Sequence, residues 1–270
     1  MATVLAISSH VARGCVGLAA TVPALQRLGH EVWALPTVLL ASRPGLGTLV
    51  RTEVPAADLA AMLVALEADG AWGTLGGVLT GYFPSAASVR AAADAVRRLR
   101  TALPQVPVLV DPIVGDNGRL YVAEATAAAI RDELLPLATV ATPNLFELQW
   151  LAGAASGSNA AAAARRLGPG AVVVTSATET PNAISTLLVA GESRIERPLP
   201  RRAGIPNGAG DLLAGLLLGH LLDGLGLEAA LEASLAGLDG VLAASAGHDA
   251  LRLSALGRHP AIGETRRYDP

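Results

Sequence analysis

The sequence contains no lysine, and this absence excludes two classes of protein. The 20 side chains counted as lysine or arginine are all arginines. A Walker-A phosphate loop needs its lysine, and an enzyme that uses pyridoxal phosphate as a cofactor needs a lysine for the Schiff base. Any nucleotide chemistry must therefore rely on backbone amides, arginine and metal ions.

Cysteine and long apolar runs are also scarce. Cys15 is the only cysteine of the 270 residues, so an internal disulfide is excluded and a cytoplasmic location is expected. The apolar run Leu212–Leu222 is far shorter than the roughly 20 residues of a membrane span. The first ten residues lack the positive start of a secretory signal. The formal net charge of −3 comes without a basic run, so nucleic acid and anionic membranes are not expected as partners.

Short apolar runs alternate with helical segments rich in alanine, leucine and arginine. Thr3–Ile7 and Glu31–Leu35 predict the first two strands, and Ala123–Leu135 predicts a helix. Repeated strand–helix units predict a doubly wound α/β fold, with a mostly parallel central sheet and helices on both faces. Ile184–Val189 and Arg194–Leu199 predict a hairpin. We expect one domain over residues 1–250, and a loosely attached tail over residues 251–270.

Polar side chains follow several of the predicted strands. Ligands of parallel sheets bind beyond the carboxyl ends of the strands. Asp111, for example, follows the run Val106–Val110. The first candidates for a site are therefore Ser8, Ser9, Thr80, Asp111, Thr142, Asn144, Thr175 and Ser176.

A glycine-rich turn, Asn207-Gly208-Ala209-Gly210-Asp211, immediately precedes the apolar run Leu212–Leu222. Such a turn can present successive backbone N–H groups to an anion, and the following helix adds its positive dipole end. Asp211 is then either a helix-capping acid or a base beside bound phosphate. We also expect a β-branched residue at Gly210 to damage the turn, because it resists a positive φ and blocks close approach of the backbone.

The wider motif set decides between these interpretations. In chain order it comprises Ser9-His10-Val11-Ala12-Arg13-Gly14-Cys15-Val16-Gly17, Thr80-Gly81-Tyr82, Asp111-Pro112-Ile113-Val114-Gly115-Asp116, Thr142-Pro143-Asn144-Leu145-Phe146-Glu147 and the glycine-rich turn. This ordered set, spread from Val4 to Ala246, resembles the pyridoxal kinases of the ribokinase superfamily. The opening segment and the Thr-Gly-Tyr are the parts most particular to pyridoxal kinases.

The resemblance implies transfer of the γ-phosphoryl group of ATP to the 5′-hydroxymethyl group of pyridoxal, pyridoxine or pyridoxamine. Asp211 would be the catalytic base, and the amides of Gly208, Ala209 and Gly210 would form the anion hole. Mg²⁺ would accompany ATP, and a monovalent cation is a further requirement to test. The implied metal residues are Asp111, Asp116 and Glu147. The implied ATP-binding residues are Asp111, Thr142, Asn144, Glu147, Thr175, Ser176, Arg197, Pro198, Leu199 and Pro200.

Several of these residues also have a purely structural interpretation. Glu147 fits the first turn of a helix capped by Asn144, and Asp111 fits the start of a turn.

By resemblance, the substrate side holds Ser9 on the pyridine ring and Tyr82 packed near it, and the family leads us to expect a homodimer. A family loop with His, Thr and Tyr corresponds here to Ser42-Arg43-Pro44-Gly45-Leu46-Gly47, which keeps only the serine. Ser42, Arg43 and Gly45 are therefore candidate substrate contacts, and Arg43 either replaces the lost contacts or faces solvent.

Other functions stay open at this point. The first is a hydroxymethylpyrimidine kinase or a sugar kinase of the same superfamily. The second is a catalytically idle homologue that binds a vitamin and regulates. A Rossmann dehydrogenase is excluded, because no Gly-x-Gly-x-x-Gly follows the first strand.

Overall fold

The apolar runs of the sequence become the strands of one large sheet. The computed structural model describes residues 1–153 and 159–257. Their strands are Thr3–Arg13 (β1), Glu31–Ser42 (β2), Arg51–Glu53 (β3), Leu75–Thr80 (β4), Val108–Val110 (β5), Gly115–Asp116 (β6), Arg119–Leu120 (β7), Val140–Ala141 (β8), Ala171–Glu179 (β9), Ala183–Ala190 (β10) and Ser193–Pro200 (β11). Within the described residues, nine of them form a sheet in the order β11-β10-β9-β8-β5-β4-β1-β2-β3.

The centre of this sheet is parallel and its edges are antiparallel. Parallel pairing joins β2 to β1, β1 to β4, β4 to β5, β5 to β8 and β8 to β9. Antiparallel pairing joins β3 to β2 at one edge, and β9, β10 and β11 at the other. The predicted mostly parallel sheet and the predicted hairpin are both confirmed.

Helices cover both faces of the sheet. They are Leu18–Arg27 (α1), Ala56–Ala68 (α2), Ala86–Ala102 (α3), Glu124–Ala129 (α4), Leu145–Leu151 (α5), Ala160–Arg166 (α6), Ala209–Leu222 (α7) and Leu227–Ser245 (α8). Short 3₁₀ turns occupy Ala71–Thr74, Leu135–Leu137 and Leu253–Ala255, and a π turn occupies Ile130–Leu134. The predicted helix Ala123–Leu135 is therefore α only as far as Ala129.

Alternate side chains of each strand supply two separate cores. Val172 and Val174 of β9 pack into the core that α2 to α6 complete, whereas Val173 packs into the core of α1, α7 and α8. Helix α7 is buried from Leu212 to Gly219, as expected of a helix that is apolar all round. This burial fixes the position of the N-terminus of α7, where the glycine-rich turn lies.

Two predicted strands are longer in the structure than in the prediction. β1 continues to Arg13 and β2 to Ser42, because the two strands pair beyond a bulge, with His10 opposite Leu39. Ser8 and Ser9 thus lie inside a strand rather than in the loop after it. β5, by contrast, begins at Val108 instead of Val106, since Pro107 has no N–H to donate to a neighbouring strand.

The predicted C-terminal tail is only partly described. Leu251 and Leu256 are buried in the core beside α7 and α8. The Arg27 side chain donates to the carbonyl oxygen of Leu256 at 2.8 Å. Residues 258–270 lie outside the described residues. Among the helices that the structure describes, none combines the length and apolar character needed to cross a membrane.

Candidate active site

The glycine-rich turn forms the N-terminus of α7 and packs against the loop that follows β1. Gly208 precedes the helix with φ of 113°, and a Cβ atom there would lie 1.8 Å from the carbonyl oxygen of Cys15. Only glycine fits this position. The expectation of a positive φ at Gly210 was wrong, because Gly210 already lies within α7. A Cβ atom on Gly210 would meet no atom within 4 Å, so its amide borders open space.

Asp211 lies in the first turn of α7 and is held by the opening segment of the chain. The backbone N–H of Gly17 donates to its carboxylate. The hydroxyl of Thr21 donates to its carbonyl oxygen at 3.2 Å. Burial raises the pKa of Asp211 to about 6, while the bond from Gly17 opposes that rise. A carboxylate with a pKa close to neutral is suited to general-base chemistry.

The opening segment also brings the predicted substrate residues close together. Gly17 has φ of 55° and packs so tightly on Ser9 that a Cβ atom would lie 2.2 Å from the Ser9 carbonyl oxygen. The backbone N–H of Tyr82 donates to the Ser8 hydroxyl at 3.1 Å. The Thr37 hydroxyl donates to the Tyr82 carbonyl oxygen at 2.7 Å. Ser9, Tyr82 and Asp211 therefore belong to one region at the carboxyl ends of β1 and β4.

A cavity of about 430 Å³ opens beside Asp211. It runs from the ends of β5 and β8 to β11 and α8. Its wall includes most of the residues predicted to bind ATP or metal, together with the predicted anion hole and the predicted base. Those residues are Asp111, Asp116, Thr142, Asn144, Glu147, Thr175, Ser176, Leu199, Pro200, Gly208, Ala209, Gly210 and Asp211.

The acidic side of the cavity holds the buried carboxyl group of Asp111. Asp111 follows β5, and its Oδ1 accepts a hydrogen bond from the Thr142 hydroxyl at 3.0 Å. Burial raises the pKa of Asp111 well above its ordinary value. The negative charges of Asp211 and Glu147 raise it further, while the bond from Thr142 lowers it. A cation bound here would relieve this repulsion.

Glu147 closes the N-terminus of α5 in a reciprocal capping box with Asn144. Its Oε2 accepts from the Asn144 N–H at 2.8 Å, and its Oε1 accepts from the Val114 and Gly115 N–H groups at 2.9 and 3.3 Å. Burial raises the pKa of Glu147 to about 7, although these three bonds lower it. The geometry thus places Glu147 as a helix cap that also fastens the loop after β5.

The three predicted metal residues fit Mg²⁺ to different degrees. Asp111 fits best, since Mg²⁺ takes a few carboxylates together with water and phosphate oxygens. Glu147 fits less well as a direct ligand, because its oxygens already accept three N–H groups. Asp116 is exposed and accepts from the Asn117 N–H at 2.7 Å. Within residues 1–153 and 159–257 no group of three His, Cys, Asp or Glu side chains is arranged to hold a metal. The ion would therefore depend on water and on the phosphates of ATP.

Two of the four predicted residues of β11 border the cavity and two do not. Leu199 and Pro200 line it. Arg197 instead pairs with Glu228 and Glu232 of α8, at 2.8 and 2.7 Å. Arg197 and Pro198 are absent from the cavity wall. Leu199 and Pro200 are the last two residues of β11, so the cavity borders only the end of this strand.

The loop after β2 is fastened to the protein rather than open toward a substrate. The Ser42 hydroxyl donates to the Leu46 carbonyl oxygen at 2.6 Å, which closes the loop on itself. Arg43 donates through Nε to the Asp249 carbonyl oxygen at 2.9 Å, and its aliphatic stem lies against Gly14. Gly45 is exposed, with φ of 82°. None of Ser42, Arg43 and Gly45 lines the cavity.

Comparison with known proteins agrees with this arrangement. The sequence profile of the phosphomethylpyrimidine kinase family matches residues 17–252. The pyridoxal kinase PdxY of Rubrobacter xylanophilus is 39% identical over 256 residues, covering 88% of this chain and 86% of that protein. A pyridoxine/pyridoxal/pyridoxamine kinase of Bordetella avium is 38% identical over 276 residues, covering 99% and 93%. The chain belongs to the pyridoxal kinase family.

The likeness to pyridoxal kinases extends to three dimensions. The pyridoxal kinase of Leishmania donovani, solved in complex with ADP and pyridoxine, has a TM-score of 0.84 and 30% sequence identity. The match covers 94% of this chain and 91% of that one. The family resemblance and the ribokinase-like fold predicted from the motifs are therefore confirmed.

Some residues of the site were missed by the sequence analysis. Within this pyridoxal kinase fold, the far side of the cavity is lined by Arg202, Ile205, Leu238 and Leu242. Leu238 and Leu242 are ordinary apolar positions of α8, so their pattern signals only burial. Arg202 stands five residues before Asn207, the first residue of the glycine-rich turn. Its partner on α8 is distant in sequence and carried no signal.

Proposed function

We propose that this chain transfers the γ-phosphoryl group of ATP to the 5′-hydroxymethyl group of pyridoxal, pyridoxine or pyridoxamine. One observation carries the proposal. The turn Gly208–Asp211 packs on Cys15, in the loop between β1 and α1, so the candidate base lies between the cavity for the nucleotide and the pyridine-side residues. The family membership and the printed ligands of the Leishmania donovani kinase, ADP and pyridoxine, support it.

The residues divide the reaction between them. Asp211 accepts the proton of the substrate hydroxyl. The hydroxyl oxygen of the substrate attacks the γ-phosphorus of ATP, and ADP leaves. The amides of Gly208, Ala209 and Gly210 and the positive end of α7 face the charge that develops on the transferring group. Asp111 would hold Mg²⁺ through a carboxylate oxygen, directly or through a water molecule. The ion neutralises phosphate charge when it is bound. Phosphoryl transfer depends mainly on such positioning and charge neutralisation.

The base assignment agrees with the electrostatics of the site. With a pKa of about 6, Asp211 is mostly ionised at neutral pH and still basic enough to share a proton in the transition state. The capping interpretation of Asp211 has less support. The residue at the N-cap of α7 is Gly208, and the Asp211 carboxylate receives the N–H of Gly17, from another segment of the chain, besides its own N–H.

A second candidate activity is phosphorylation of a hydroxymethylpyrimidine. It is favoured by the family profile that matches residues 17–252. The test is one assay of kcat/KM with Mg²⁺-ATP and four acceptors: pyridoxal, pyridoxine, hydroxymethylpyrimidine and ribose. We expect preference for the two pyridines. Preference for either of the others would overturn the substrate assignment and leave a kinase. If none of the four acceptors is phosphorylated, the result would favour a homologue that binds a vitamin without catalysing a reaction.

We further propose a cytoplasmic homodimer with a single kinase domain over residues 1–250. The lone cysteine supports the location. The domain is supported by the two cores, which share one sheet.

The edge strand β3 leaves Leu39, Leu49 and Val50 exposed at one end of the sheet, and a second copy of the chain would cover them. Sedimentation of the purified chain tests the dimer. Activity with and without K⁺ tests the monovalent cation.

A further inference from the structure

The side of the cavity away from its carboxylates is apolar and contains one arginine. Leu199, Pro200, Ile205, Leu238 and Leu242 line it together with Arg202. Of the described residues in the cavity wall, Arg202 is the only positively charged one. The aromatic residue of the wall, Tyr121, belongs to the acidic side, because the charges of Asp116 and Glu147 raise its pKa along with burial. The apolar side thus has aliphatic walls and no aromatic ring among the described residues.

Arg202 is held in a fixed orientation. It lies in the loop between β11 and α7, and its guanidinium forms an ion pair with Asp239 of α8. The same guanidinium donates to the Pro200 carbonyl oxygen at 3.3 Å. The side chain is only 21% exposed. Its charge is therefore already paired, and the side chain lines the cavity together with Leu238 and Leu242 of α8.

The two sides of the cavity suit the two ends of a nucleotide. Phosphates belong at the N-terminus of α7, where amides and the helix dipole attract anions. The base must then extend toward β11 and α8. A planar guanidinium stacks well on an aromatic ring, and arginine does so better than lysine. In a chain with so few aromatic residues, this arginine offers the flat surface that an aromatic side chain would otherwise provide.

We propose that Arg202 stacks on the adenine ring of ATP, with Asp239 as the positioning residue that fixes its plane. This inference rests on the proposed use of ATP. It assigns Arg202 to the base rather than to the phosphates, because its guanidinium is paired with Asp239 and lies with Leu199, Leu238 and Leu242. Asp239→Asn should then weaken nucleotide binding less than a change of Arg202 itself, since the guanidinium remains but is less firmly oriented.

The test measures binding of ADP and of adenosine by calorimetry to Arg202→Gln, Arg202→Lys and a matched control. The control is Arg201→Gln, which makes the same charge change at the neighbouring residue. Arg201 pairs with Glu179 at 3.1 Å, and neither residue lines the cavity beside Asp211. Pyridoxal is left out, because an introduced lysine would condense with the aldehyde. Thermal melting of each variant shows whether the fold is kept.

We expect Arg202→Gln and Arg202→Lys to weaken the binding of ADP and of adenosine about 5- to 20-fold, as loss of a stacked cation predicts. Within each variant the factor should be the same for the two ligands. Arg201→Gln should bind both like the wild type. Three results would overturn the Arg202 assignment alone: wild-type affinity in both Arg202 variants, a loss confined to ADP, or full affinity in Arg202→Lys. Failure of the wild type to bind ADP at all would overturn the proposed function as well, so the two failures are distinguishable.

Discussion

The side of the molecule with the glycine-rich turn and the side with the loop after β2 are held together by different means. On the first side, the backbone of Gly208 contacts that of Cys15, and Asp211 receives the Gly17 N–H. On the second side, Arg43 crosses to Asp249 by side-chain contacts near the surface. Backbone packing tolerates almost no substitution, whereas surface side chains can be exchanged at small cost. The difference explains how the sequence of the loop after β2 departs from the family motif while the glycine-rich turn stays intact.

The largest expected effect falls on Asp211. Asp211→Asn keeps the shape of the side chain, so the fold and ADP binding should persist. Turnover should fall on the order of 10²-fold or more, because the proton of the substrate hydroxyl loses its acceptor. Steady-state kcat together with ADP binding checks this. Near-normal turnover would return Asp211 to the role of a capping residue.

A pair of glycine variants separates packing from catalysis in the same turn. Gly208→Ala should lower both the melting temperature and the activity, since its Cβ would overlap Cys15 and its φ is 113°. Gly210→Ala should keep or raise stability, by up to about 1 kcal/mol, because alanine suits a helix better than glycine. Its activity should still fall, because the methyl group enters the open space beside the amides. Equal melting temperatures for the two variants would contradict this division.

Substitutions in the loop after β2 should change activity less. Arg43→Ala removes one hydrogen bond between the loop and the C-terminal segment. We expect KM for pyridoxal to rise about 2- to 10-fold, with kcat within about twofold of the wild type. Arg90→Ala serves as the control, since Arg90 forms a comparable exposed pair with Glu133 at 2.9 Å. A kcat loss as large as that of Asp211→Asn would show that the two sides are not separable.

The smallest effect concerns stability and pH. The pKa values of Asp211 and Glu147 are raised to about 6 and about 7. Each group is more easily protonated in the folded chain than in the unfolded one. The stability it contributes is therefore complete below its ordinary pKa and is lost as pH rises through 6 and 7. We expect the melting temperature to fall from pH 5 to pH 8 while kcat/KM rises. Glu147→Gln should flatten the melting profile, and an unchanged slope would contradict the raised pKa of Glu147.

The sequence predicted those parts of the molecule that depend on local signals. The glycine-rich turn and the apolar run Leu212–Leu222 predict a helix, and the structure has α7 there, over Ala209–Leu222. The cavity wall contains most of the predicted strand-end residues for the same reason. What was missed depends on distant partners. Arg43 meets Asp249, β1 extends because His10 faces Leu39, and Arg202 is oriented by α8. No local pattern encodes such contacts.

The most direct test of the central claim is ³¹P NMR of the product formed from ATP, Mg²⁺ and pyridoxal. The account predicts one equivalent of ADP for each equivalent of a phosphate ester on the 5′-oxygen of the pyridine, and neither product with Asp211→Asn. Formation of ADP and free phosphate without the ester, or an ester on another acceptor in preference to pyridoxal, would contradict it.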